Sequence, residues 1–212
     1  MNAVVRWFAA ATIVSVAGCT SLETVTGPGA EPSFEARRTQ LQDITHWEMR
    51  GRIAIDTGTQ ARQGRFTWWQ EDAALRLIIR GPLGAGAVEI RSDGETLSIR
   101  TRRETRVLSD PETELSELLG WWLPITSLPS WLLGTPDARY ADPAAVIEAG
   151  LLRHLEQRSW ALRFEEYANH GEYAIPATIT LAHAPLELIV TIDDWQPQTA
   201  LDLELDAGRR AQ

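Results

Sequence analysis

Apolar and polar residues alternate along several short stretches of this chain, and this pattern constrains the fold more than any other feature. In the first stretch the apolar residues share one face, which carries Trp47, Met49, Ile53 and Ile55. A period of two residues is typical of a β-strand with one buried face. Short connections such as Ser92-Asp93-Gly94 predict antiparallel neighbours. Further strands are predicted at residues 65–70, 75–80, 87–91, 97–100, 152–157, 160–165, 179–181 and 186–192.

Two helices are predicted between the two blocks of strands. Asp110 is a typical N-cap residue, Pro111 suits the first helical position, and Gly120 ends the first helix. The second helix is predicted over residues 127–133, with Gly134 at its end. A sheet of this many strands tends to curl, and helices inserted between its halves lie across one face. The predicted fold class is α+β, mostly antiparallel β, as an open (incomplete) β-barrel with a helical lid.

The N-terminus indicates export. Residues 1–18 combine one positive side chain, Arg6, with an apolar run too short to span a bilayer, as in a signal peptide. The run ends in Val16-Ala17-Gly18-Cys19, which resembles the lipobox of bacterial lipoproteins and implies that Cys19 is lipidated. The alternative is an ordinary signal peptide with an incidental cysteine. By the same resemblance, Thr20 rather than Asp after the cysteine predicts an outer-membrane location, with the domain facing the periplasm.

Composition shifts divide the rest of the chain. Residues 19–45 contain the lipidated Cys19, a flexible tether rich in glycine and proline, and a short lead-in. Within the lead-in, residues 34–44 form either a short amphipathic helix or a frayed segment. The folded, lipid-binding domain is predicted at residues 46–196, and residues 197–212 form a polar acidic tail.

Charge and missing motifs exclude several functions. The formal charge is −9, and removal of Arg6 with the leader leaves −9 − (+1) = −10, which argues against nucleic acid as a partner. The sequence has no phosphate-binding loop and no Gly-x-Ser-x-Gly motif, and its four histidines lack metal-ligand spacing. The adjacent acidic pairs at 165–166 and 193–194 point to opposite strand faces and form no catalytic dyad. No enzyme activity, cofactor or metal is therefore predicted.

An ordered set of short sequence motifs resembles the LolB family, the outer-membrane receptors of the bacterial lipoprotein localisation pathway. The motifs extend from about His46 to Trp195, and they follow a lipobox. They are Arg50-Gly51, Phe66-Thr67-Trp68, Gly81-Pro82-Leu83-Gly84, Trp131-Leu132-Leu133-Gly134-Thr135-Pro136, Trp160 with Tyr167, and Asp194-Trp195.

The resemblance implies that the barrel encloses an apolar cavity for the acyl chains of lipoproteins. The implied partners are a soluble LolA-like periplasmic carrier, acylated lipoproteins as cargo and the outer membrane, with the protein acting as a monomer. Each methylene removed from water is worth about 0.8 kcal/mol, so acyl chains crossing the periplasm need an apolar pocket. The candidate cavity residues are Trp47, Phe66, Trp68, Leu118, Trp122, Trp131 and Trp160. Any one of them can instead be ordinary core.

Leu83 is predicted to protrude between two strands and to insert into the membrane surface. The alternative is that Leu83 folds back onto the barrel edge. Arg50 and Arg52 lie either near the cavity mouth or on the solvated outer face. The competing function is a structural envelope lipoprotein that binds protein partners and has no lipid cavity.

Overall fold

The computed structural model describes residues 33–82, 86–141 and 143–198. Three helices lie in these ranges, namely α1 (Phe34–Gln42), α2 (Pro111–Leu119) and α3 (Leu128–Leu132). The first six strands are β1 (His46–Asp56), β2 (Ala61–Glu71), β3 (Ala74–Arg80), β4 (Ala87–Ser92), β5 (Leu97–Arg100) and β6 (Thr105–Leu108). The other five are β7 (Ala144–Glu148), β8 (Leu151–Gln157), β9 (Trp160–His170), β10 (Tyr173–His183) and β11 (Leu186–Pro197).

All the described strands belong to one antiparallel sheet. Its order is β6-β5-β4-β3-β2-β1-β11-β10-β9-β8-β7, so each half is a meander of sequential hairpins. The pairing of β1 with β11 joins the halves and runs from Trp47 opposite Pro197 to Asp56 opposite Glu187. Because β6 and β7 stand at the two ends of the order, the sheet is not closed. The predicted open antiparallel barrel is confirmed.

The register gives the sheet one apolar face that points inward. Met49 lies opposite Trp68 and Trp195, and Ile53 lies opposite Val190. Gly51 sits at the register shift between β1 and β11, beneath the ring of Phe66. A Cβ atom at Gly51 would overlap the carbonyl oxygen of Thr191 and lie 2.8 Å from Phe66 Cε1. Only glycine therefore lets the two strands and the aromatic ring approach this closely.

Helix α1 is packed against the sheet, ahead of the domain start predicted at His46. Ser33 caps the helix by accepting a hydrogen bond from the Ala36 backbone N–H at 3.2 Å. Leu41 is 2% exposed and belongs to the hydrophobic core, and Arg37 is 6% exposed. Of the two alternatives for residues 34–44, the structure shows the helix, whose apolar spacing is irregular because Arg37 takes one of its buried positions. The packed unit therefore includes part of the predicted lead-in, while the tether and residues 199–212 lie outside the described residues.

The helices α2 and α3 lie between β6 and β7 in the chain. The Asp110 side chain accepts a hydrogen bond from the Thr113 backbone N–H, and Gly120 ends α2 with a φ of 77°. Both predicted helices are thus confirmed, whereas β6 and β7 have no counterpart in the sequence analysis. Neither these helices nor α1 is long and apolar enough to span a membrane, as judged over the described residues.

Candidate functional site

An apolar cavity of about 630 Å³ lies between the concave face of the sheet and the lid helices. This volume falls within the range of about 300–1,000 Å³ that is typical of small-molecule sites. The strands supply the apolar wall residues Ile53, Ile55, Phe66, Trp68, Leu77, Ile79, Val88, Ile90, Ile99, Leu181, Leu188 and Val190. The lid supplies Leu115, Leu118, Leu119, Trp121, Leu123, Ile125, Leu128 and Leu132.

Several cavity residues remain accessible although they point inward. Leu118 is 40% exposed, Leu119 is 38% exposed and Val88 is 36% exposed. Core side chains of this size are normally close-packed, since interiors approach the density of organic crystals. The accessible leucines and valine thus mark a hollow that the protein's own side chains leave unfilled.

Polar residues gather at one end of the cavity. They come from the β1–β2 hairpin and the β5–β6 hairpin, and are Thr57, Arg62, Thr101, Glu104 and Arg106. Consecutive strands alternate in direction, so the connections after β1, β3 and β5 leave the same end of the sheet. Arg62, Glu104 and Arg106 are exposed, and Arg106 Nε donates to Glu104 Oε1 at 2.9 Å. We call these five residues the polar rim.

The structure divides the predicted cavity residues into two groups. Phe66, Trp68 and Leu118 line the cavity. Trp47 stacks against Trp68 with ring centroids 6.1 Å apart, on the far side from the hollow, and is 1% exposed. Trp131 and Trp160 are 6.5 Å apart and almost fully buried, and the Trp131 indole donates to Gln157 Oε1 at 2.8 Å. These three tryptophans fill core.

Trp122 stands outside the cavity lining, and its neighbour Trp121 lines the wall instead. The Trp122 ring meets His183 edge-on at 5.9 Å and lies 4.9 Å from the Arg158 guanidinium carbon. Both tryptophans follow Gly120, where the helix has ended, so helical spacing no longer decides which one faces inward. The cavity residues Leu188 and Val190 of β11 were not predicted, although their alternation along the strand indicates that they face inward.

Arg158 fastens the lid to the sheet. Its guanidinium makes a bidentate ion pair with Glu112 of α2, with Nη2–Oε2 at 2.5 Å and Nη1–Oε1 at 3.0 Å. Nη1 also donates to Ser127 Oγ at 3.0 Å, and the Tyr140 ring centroid lies 4.2 Å from the guanidinium carbon. Arg158 has a φ of 54°, which is uncommon for a residue with a Cβ and places it in a tight β8–β9 turn. We call the Arg158–Glu112 pair the lid latch.

The latch holds Glu112 in its charged form. Burial raises the pKa of Glu112, but hydrogen bonds from Arg158 and Thr126 and the charge of Arg158 outweigh it, so the pKa falls below 4.5. Asp137 behaves similarly at the lid's other end, where burial is outweighed by hydrogen bonds from Arg139 and Ser127 and the pKa is lowered. Both carboxylates are therefore ionised whenever the pH is near neutral.

Glu112→Gln is expected to destabilise the protein by roughly 1–3 kcal/mol at about pH 7, because a charge-assisted bidentate pair is lost. A carboxylate with a lowered folded-state pKa contributes stability above its unfolded pKa of about 4.5. That contribution disappears as the pH falls through the folded pKa. Urea unfolding across this pH range should show that the free energies of unfolding of the Glu112→Gln chain and the unsubstituted chain become equal in acid.

The control is Glu117→Gln, which changes an exposed residue of the same helix. We expect its stability to follow the unsubstituted chain at every pH. A difference in the free energy of unfolding between the Glu112→Gln chain and the unsubstituted chain that stays constant down to about pH 2 would contradict a stabilising role for the lid latch.

The other residues singled out in the sequence lie away from the cavity or outside the residues that the structure describes. Arg50 and Arg52 are on the outer face, with Arg50 paired to Glu48 at 2.7 Å and Arg52 to Asp193 at 2.9 Å. They are thus not cavity-mouth residues. Cys19 and Leu83 fall outside the described residues, so their predicted roles stay predictions.

An incomplete antiparallel barrel with a lid over an apolar hollow defines a class of protein that shelters an apolar ligand from water. The family model described as outer membrane lipoprotein LolB matches residues 45–195. The chain therefore belongs to the LolB family of outer-membrane lipoproteins, and the predicted resemblance and outer-membrane location are confirmed.

Two curated relatives and one solved structure illustrate the similarity. The outer-membrane lipoprotein LolB of Nitrosococcus oceani is 31% identical over 188 residues, which cover 87% of this chain and 93% of that protein. LolB of Stutzerimonas stutzeri is 28% identical over 187 residues, covering 86% and 91%. A DUF1329 family protein from Desulfovibrio piger shares the fold, with a TM-score of 0.52 at 9% identity over 79% of this chain and 91% of that one.

Proposed function

We propose that this protein is an outer-membrane-anchored receptor that accepts lipoproteins from a soluble periplasmic carrier and inserts them into the outer membrane. The observation that carries the proposal is the hollow of about 630 Å³, whose lining is apolar except at the polar rim. Acyl chains are the part of a lipoprotein that must stay out of water, and such a lining suits them. A binding role of this kind requires no catalytic step.

The shape of the site supports a defined orientation for the cargo. An acyl chain gains about 0.8 kcal/mol for each methylene buried, so the chain occupies the apolar depth. The polar start of the cargo polypeptide then emerges at the polar rim, where Arg62, Glu104 and Arg106 remain solvated. The cargo moves towards the partner that removes more of its acyl-chain surface from water.

Breaking the lid latch would allow the cavity of the receptor to open. The hollow is roofed by α2 and by residues 121–132, and Glu112 at the start of α2 is tied to the sheet by Arg158. Partial detachment of α2 would widen the hollow without breaking any strand pairing. Lid movements of this kind are common where a ligand must be enclosed.

The test is transfer of cargo from a loaded carrier. A soluble carrier bearing a triacylated lipoprotein is mixed with the anchor-free chain (residues 20–212), which retains every described core residue from Leu41 to Trp195. We expect the cargo to co-purify with the anchor-free chain after mixing. Cargo that stays wholly on the carrier, while the same chain is folded by circular dichroism, would contradict the proposal.

Leu83→Glu is expected to impair delivery to the membrane while leaving the fold and cargo acceptance intact. A carboxylate carried into the bilayer costs about 2.5 kcal/mol, which predicts a slowing of roughly tenfold to a hundredfold. The measurement is the rate at which cargo moves from the receptor to liposomes. Val107→Glu is the matched control, because Val107 is an apolar residue of β6 that is 66% exposed. Delivery at the unsubstituted rate by the Leu83→Glu chain would refute the role of Leu83.

A further inference from the structure

Three arginines form a row across the outer face of the sheet. Arg52 of β1 lies directly opposite Arg65 of β2, and Arg65 lies directly opposite Arg80 of β3. Residues opposite one another on neighbouring strands point to the same face, and such strands are about 4.8 Å apart. The three side chains therefore leave one face of the sheet within roughly 10 Å of each other. We call Arg52, Arg65 and Arg80 the arginine row.

The arginine row is poorly neutralised. Like charges directly opposite each other destabilise a sheet. Arg52 pairs with Asp193 at 2.9 Å, but among the described residues no carboxylate lies within ion-pair distance of Arg65 or Arg80. The chain as a whole has a formal charge of −9, so a positive face stands out against its surroundings. An anionic ligand at this face would relieve the repulsion between the guanidinium groups.

The row borders a groove in the outer face. The groove has a volume of about 740 Å³, and its lining includes Gly51 and Gly64, which carry no side chain. It extends to Gly81 and Pro82, directly after the end of β3 at Arg80. The β3–β4 connection starts at this point, at the same end of the sheet as the polar rim. Guanidinium groups beside an open groove suit phosphate, which they bind through paired N–H donors.

We propose that the arginine row binds the phosphate groups of anionic phospholipids and so determines which face of the domain meets the bilayer. The choice of a bilayer rests on charge complementarity, because an anionic surface attracts a cluster of arginines even on a protein of net negative charge. It also rests on Pro82, an exposed apolar residue that lines the groove beside the arginines, since apolar residues next to basic ones are typical of membrane-surface binding. The proposal depends on the proposed function only in taking the membrane as the place of delivery.

The experiment compares two kinds of vesicle. The anchor-free chain is floated with vesicles of phosphatidylcholine alone, or with about one-quarter phosphatidylglycerol added. We expect stronger binding to the anionic vesicles, with a loss of about fivefold for Arg65→Gln and about 25-fold for Arg65→Gln combined with Arg80→Gln. Salt near 1 M should abolish the preference, because the screening length falls to about 3 Å.

The matched control removes the same charge elsewhere. Arg100→Gln combined with Arg163→Gln changes two exposed arginines on β5 and β9 and should reduce binding much less. Asp193→Asn frees Arg52 from its partner and should strengthen binding severalfold, a gain that unfolding cannot mimic. Equal losses in the two double variants, or equal binding to both vesicles, would overturn the proposal. Binding of a fluorescent fatty acid by the same chains tests the cavity separately, since the vesicle comparison uses no free acyl ligand.

Discussion

Val88→Trp is expected to weaken acyl-chain binding by roughly 50-fold. Val88 faces the cavity from β4 and is 36% exposed there, so an indole at this position enters the hollow rather than packed core. An indole that displaces about three methylenes removes about 0.8 kcal/mol for each. Folding should be retained, because filling empty apolar space adds contacts. Titration with a fluorescent fatty acid measures the loss.

Val107→Trp provides the matched control for this substitution. Val107 lies on β6 between the inward-facing Arg106 and Leu108, so its side chain points outward, and it is 66% exposed. The same residue change therefore leaves the cavity untouched. We expect fatty-acid affinity within about twofold of the unsubstituted chain. Equal affinity of the Val88→Trp and Val107→Trp chains would show that the ligand binds elsewhere.

Arg37→Met is expected to lower the free energy of unfolding by about 3 kcal/mol. The Arg37 guanidinium donates to the carbonyl oxygens of Leu133 at 2.9 Å, Gly134 at 3.0 Å and Ala174 at 2.7 Å. Two of these carbonyls end α3, where backbone acceptors have no partner within the helix. Burial lowers the pKa of Arg37, which nevertheless stays protonated. Methionine keeps much of the apolar stem and leaves the three carbonyls without their donor.

Thermal unfolding measures this effect, and a loss of about 3 kcal/mol corresponds to a fall in Tm of roughly 6–12 °C for a chain of this size. Arg38→Met is the control, because the neighbouring side chain is 38% exposed and pairs with Glu35 at the surface. Exposed pairs contribute at most about 1 kcal/mol. Similar losses for both substitutions would mean that Arg37 does not join α1 to the end of α3.

The sheet and the lid helices were predictable because their signals are local. Alternation assigns an inner face to each strand without any knowledge of its neighbours. Asp110 and Gly120 mark the ends of α2 through their own backbone chemistry. The pairing of β1 with β11 is different, since it joins residues that are far apart in the chain. The tendency of a many-stranded sheet to curl and the resemblance to LolB predict one barrel, but neither gives this pairing or its register.

The cavity lining was predictable only in part, since alternation identifies inward residues but not empty space beyond them. Trp47, Trp131 and Trp160 point inward and meet other aromatic rings, whereas Phe66 and Trp68 face the hollow. The structural role of α1 was missed for a related reason. A buried arginine satisfied by three carbonyls looks in the sequence like any surface charge.

The most direct test of the acyl-chain site is a crystal structure of the anchor-free chain with a brominated fatty acid, whose anomalous signal locates the bromine. We expect bromine within the hollow, among Trp68, Leu118 and Val190, with the carboxylate towards the polar rim. Bromine found only on the outer surface, over a hollow closed by the protein's own side chains, would contradict this expectation.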